Sequence, residues 1–67
     1  IDSGLTAREI DVLQSISHGC SNAAIATNLF ISVSTVKSHV SSILRKLDAD
    51  SRLQALNVAR ERGLLVE

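Results

Sequence analysis

Four times along this chain a hydroxyl residue stands directly ahead of an apolar run with helical spacing, and that punctuation limits the fold to short helices. Thr6-Ala7-Arg8-Glu9 has the form of a capping box, in which the Thr hydroxyl takes the amide three residues on and the Glu reaches back. Leu5 and Ile10 bracket it as a hydrophobic staple, and Ile10, Leu13 and Ile16 continue one face until Gly19 supplies a left-handed stop. Ser21 caps a second helix carrying Ala23, Ala24, Ile25, Ala26 and Leu29, whose alanines let a neighbour come close. Phe30 and Ile31 close it and are expected to plug the core between the second and third helices.

Ser32 caps a third helix over about 33–47. Val36, Val40, Ile43, Leu44 and Leu47 fall on one stripe of a 3.6-residue repeat. Ser34, Ser38, Ser41 and Arg45 lie opposite, flanked by Lys37 and Ser42, with Thr35, His39 and Lys46 toward one side. After the polar break Asp48-Ala49-Asp50, Ser51-Arg52-Leu53-Gln54 reads as a second capping box. The fourth helix it opens has Ala55, Leu56 and Ala59 inside, with Leu53 as a further candidate. Gly63 ends it, and Leu64 and Leu65 are expected to fold back on the core. The fold class is therefore all-α: a small four-helix domain containing a helix-turn-helix.

Sixty-seven residues make one small domain, and Phe30 as its one aromatic suits packed helices better than a sandwich or barrel. A chain this short buries only about 60% of its unfolded surface. It leaves no room for a substrate pocket of roughly 300 Å³ with a supporting shell, which argues against an enzyme. The chain begins at Ile1 and contains no Met, the expectation for a piece of a longer protein. A lone Cys20, no signal peptide and no long apolar run point to the cytosol. His18, His39 and Cys20 lack the spacing of a zinc site, and no Gly-rich phosphate loop is present, so neither metal nor cofactor is expected.

Charge supplies the functional lead. The seven acids balance the seven Lys and Arg, yet all of them (Asp2, Glu9, Asp11, Asp48, Asp50, Glu61 and Glu67) lie outside residues 12–47, which hold Lys37, Arg45 and Lys46. A basic, hydroxyl-rich helix face following a short helix and a tight turn points to double-stranded DNA. In that arrangement the second helix of the pair lies in the major groove while the first crosses the backbone. Lys37, Ser38 and Ser41 are then the candidate base contacts. Asn22, Ser34, Thr35, Arg45 and Lys46 are the candidate backbone contacts. A merely solvated face would also carry Lys, Arg and Ser. Ser and Thr are poor residues for an exposed helix interior, however, so five of them on one helix call for close approach to a surface. Leu53, Leu56, Asn57 and Arg60 on the fourth helix are candidates for self-association into a dimer reading a longer, symmetric site. A protein-interaction module sharing the fold, and a sigma-factor-like promoter-reading domain, are the rival readings.

Leu5-Thr6-Ala7-Arg8-Glu9, Val12-Leu13, Gly19, Ser21-Asn22, Ile25-Ala26, Leu29, Ser32, Thr35-Val36-Lys37-Ser38-His39, Leu47, Ser51-Arg52 and Ala55 together resemble the LuxR-type helix-turn-helix domain. That domain also closes NarL/FixJ-type response regulators and MalT-like activators. The resemblance spans about residues 4–65. It implies a four-helix C-terminal domain of a bacterial transcription regulator, cytoplasmic and binding DNA as a dimer, with RNA polymerase a further candidate partner. The family's base contacts match Lys37, Ser38 and Ser41. Its backbone contacts match Asn22, Ser34, Thr35 and the basic residues at Arg45 and Lys46, and its last helix, here about 52–62, often mediates dimerisation. Three departures stand out: Ala7 where many members have Pro, Ser41 where some are basic, and Asp48 and Asp50 beyond the basic helix end. The last two predict fewer contacts and a lower affinity.

Overall fold

A computed structural model describes residues 4–65 and contains four helices in the order α1 (Ala7–Ser17), α2 (Asn22–Leu29), α3 (Val33–Lys46) and α4 (Arg52–Glu61). Each starts at an expected hydroxyl cap. Thr6, Ser21, Ser32 and Ser51 are extended and accept hydrogen bonds from the amides of Glu9, Ala24, Thr35 and Gln54 respectively. At Thr6 the box is complete, because the Thr6 N–H also donates to Glu9 Oε1 at 2.8 Å. At Ser51 it is not. Gln54 Oε1 accepts instead from Asp50 N–H at 2.6 Å, since φ is −150° at Ser51 against −76° at Thr6 and the chain arrives from another direction.

All four helices stop in the same way. A residue with positive φ follows the last turn, and the next amide donates back to a carbonyl five residues earlier. The left-handed positions are Gly19, Phe30, Asp48 and Gly63. The closing bonds run from Cys20 N–H to Ser15 O (3.2 Å), Ile31 to Ala26 (3.0 Å), Ala49 to Leu44 (2.9 Å) and Leu64 to Ala59 (2.9 Å). This corrects the expectation for Phe30. At φ 58° its side chain leaves the core side of the turn and is 94% exposed, while Ile31 turns inward and is half-buried against the core.

The core gathers Leu5, Val12, Leu13, Ile25, Ala26, Val36, Val40, Ile43, Leu47, Ala55 and Ala59 from all four helices and the lead-in to α1. Leu44, Leu56, Val58, Cys20, Leu64 and Leu65 pack half-buried around it. At about 25 cal/mol per Å² of apolar surface, this aliphatic burial is the main force holding the helices together. Its inner α3 stripe is the one expected from periodicity, so the opposite face of α3 turns outward. Among the described residues no helix is long and apolar enough to cross a membrane. None of their His, Cys, Asp or Glu form a group of three that could hold a metal.

Candidate nucleic-acid interface

The turn between α2 and α3 is three residues, Phe30 to Ser32, so α3 follows α2 directly as a helix-turn-helix. On the outer face of α3, Ser34, Thr35, Lys37, Ser38, Ser41 and Arg45 are all exposed. Thr35 is partly engaged, because Ser32 caps its amide at 3.0 Å and the two hydroxyls pair at 2.8 Å. The side chains of Ser34, Lys37, Ser38, Ser41 and Arg45 have no hydrogen-bond or ion-pair partner among the described residues. They form a continuous polar and cationic strip free to meet an external surface.

Lys46 is placed differently. Its Nζ lies 2.8 Å from Glu9 Oε1 on α1, and Glu9 is only 4% exposed. Nine residues at about 100° each set Lys37 and Lys46 half a turn apart, so they stand on opposite flanks of the outer strip. Ser42, one turn before Lys46, is half-buried on the same flank. Burial would raise the Glu9 carboxyl, but the hydrogen bonds from Lys46 and the Thr6 amide and the Lys46 charge outweigh it and hold the pKa at about 2. The flank of α3 bearing Lys46 thus faces α1, and its cation is already paired.

Asn22, the first residue of α2, is half-buried, and its Oδ1 accepts from Arg52 Nη2 at 2.5 Å. Arg52 did not emerge from sequence reasoning as a site residue. It begins α4 and reaches the start of α2, which puts one guanidinium at the positive ends of two helix dipoles. No carboxylate forms an ion pair with it among the described residues. A cation at the first position of a helix runs against the dipole, and that was the signal available in the sequence.

On α4, Leu53 (67% exposed), Asn57 and Arg60 face outward and Leu56 is half-buried, with spacings of 3, 1 and 3 that put them on one stripe. Ala55 and Ala59 face the core. Asp48 and Asp50 are exposed just beyond the C-terminal end of α3.

Residues 3–59 match the profile of the bacterial regulatory proteins of the luxR family. The chain is 47% identical over 60 residues to the transcriptional regulatory protein YxjL of Bacillus subtilis, covering 90% of this chain and 28% of that protein. It is 44% identical over 61 residues to the HTH-type transcriptional activator RamA of Corynebacterium glutamicum, covering 91% of this chain and 22% of that one. The chain therefore spans less than a third of the length of these relatives. Its fold superposes on the transcription factor GerE with a TM-score of 0.89 and 34% identity, covering 92% of each chain. These relatives are transcription regulators rather than enzymes, and they set the four-helix arrangement in a known context. The chain belongs to the luxR family of bacterial regulatory proteins, as a LuxR-type helix-turn-helix DNA-binding domain.

Proposed function

We propose that residues 1–67 act as the C-terminal effector domain of a larger transcription regulator, binding double-stranded DNA sequence-specifically with α3 in the major groove. The observation that carries this reading is the outer strip of α3: exposed, cationic, free of carboxylates and without internal partners. Lys37, Ser38 and Ser41 meet base edges, with Lys37 able to donate to guanine O6 and N7. Short hydroxyl side chains let the helix backbone sit deep in the groove. Ser34, Thr35, Asn22 and Arg45 contact the sugar-phosphate backbone. Arg52 joins them, because a guanidinium beside the α2 N-terminus gains most from a phosphate placed there. Lys46 leaves the contact set, since its charge is engaged with Glu9.

Self-association through Leu53, Leu56, Asn57 and Arg60 pairs two such domains on a symmetric site. RNA polymerase is a further partner in this reading, supported by one relative being a transcriptional activator. An amide-shift titration with a mixed-sequence duplex at low salt tests the reading. Shifts at 21–24, 32–45 and Arg52 that fade as salt rises support it. Shifts confined to α4 as protein concentration rises would instead mark a protein-interaction module.

A further inference from the structure

We infer that Glu9 is a positioning residue for the DNA-reading face: its carboxylate sets the rotation of α3 about its own axis. The inference rests on the DNA reading above. One oxygen, Glu9 Oε1, accepts from the Thr6 N–H at the start of α1 and from Lys46 Nζ on α3, both at 2.8 Å. Glu9 and Lys46 are 37 residues apart, so the contact is purely tertiary.

The rest of the α3 seat is aliphatic. Val36, Val40, Ile43 and Leu47 pack among Val12, Leu13, Ile25, Ala55 and Ala59. Such packing is strong but non-directional, and cores of this kind lose uniqueness before they lose stability. The DNA reading is far less tolerant. A rotation of roughly 20° moves a side-chain tip about 6 Å from the helix axis by about 2 Å. A site must hold its groups within about 0.5 Å to keep its hydrogen bonds. A buried ion pair adds little net stability over apolar groups of similar volume, but it does add direction. Here the direction is supplied from the most buried charged group described, behind the face that reads DNA.

The test uses the 67-residue chain and a duplex selected by that chain from a random-sequence pool. The double variant Glu9→Met/Lys46→Met removes one negative and one positive charge, so non-specific binding and its salt slope should stay as they are. The preference for the selected duplex over random duplex should fall about tenfold, the size of one base pair of readout. Residual dipolar couplings should show α3 turned relative to α1, with the thermal midpoint held or raised. Lys46→Arg, which keeps the pair, should retain the preference. An unchanged preference in the double variant, or a salt slope shallower by about 1 from a lost Lys46–phosphate contact, overturns the inference. If the double variant does not fold, Glu9→Gln keeps the side-chain shape while removing the charge that holds Lys46. A partial loss of preference there supports the inference and no loss overturns it. Absence of salt-dependent duplex binding by the unaltered chain would overturn the DNA reading itself, a separable result.

Discussion

Lys37 and Phe30 are both exposed and lie close together in sequence, but they stand in opposite relations to their backbone. Lys37 sits in an ordinary helical turn with no internal partner, so its side chain is available to a ligand at no structural loss. Lys37→Ala is expected to weaken the preferred duplex by about 1–3 kcal/mol and relax selectivity at one position, read by competition among duplexes with single base changes. Equal weakening on every duplex would reduce Lys37 to a phosphate contact. Phe30 holds φ at 58° with its ring in solvent. A left-handed conformation costs a side-chain-bearing residue roughly 1–2 kcal/mol, and glycine's extra unfolded-state freedom returns part of that. Phe30→Gly should therefore stabilise the domain by about 0.5–1 kcal/mol in urea unfolding; a loss of stability would show that the ring makes contacts its exposure conceals.

Among the elements, α3 and α4 divide the cationic contribution. Arg45 ends the exposed strip of α3, whereas Arg52 reaches from α4 to the first residue of α2. Each should account for about one released counterion, so Arg45→Ala and Arg52→Ala should each lower the slope of log affinity against log salt by about 1 on all duplexes alike. An unchanged slope for either removes it from the phosphate contacts. The outward stripe of α4 is the pairing surface proposed above. Leu53→Glu places a charge on its most exposed apolar residue and should leave the fold intact while shifting the domain toward monomer in sedimentation. Unchanged sedimentation at high concentration would dismiss α4 as the pairing surface.

Across the whole molecule the Glu9–Lys46 pair ties the first helix to the third and makes stability depend on pH. The folded carboxyl, at about 2, lies below an ordinary Glu near 4.3, so the unfolded chain takes up the proton first as pH falls. The contribution, on the order of 2–3 kcal/mol, is fully present near neutrality. It should shrink from about pH 5 and vanish below about pH 2, as followed by urea midpoints across that range. Glu9→Gln should flatten the dependence, and an equally steep loss in that variant would place it on another carboxylate. By itself the sequence determined the helix starts, the glycine stops at Gly19 and Gly63, the inner stripe of α3 and the outer strip opposite it. Caps and periodicity act within about four residues and are therefore legible in one dimension. Only the tertiary structure decided that Lys46 turns to Glu9, 37 residues away, and that Arg52 reaches Asn22 across 30. Both depend on how whole helices rotate against one another. That rotation is settled by packing across the core, so no local pattern along the chain records it.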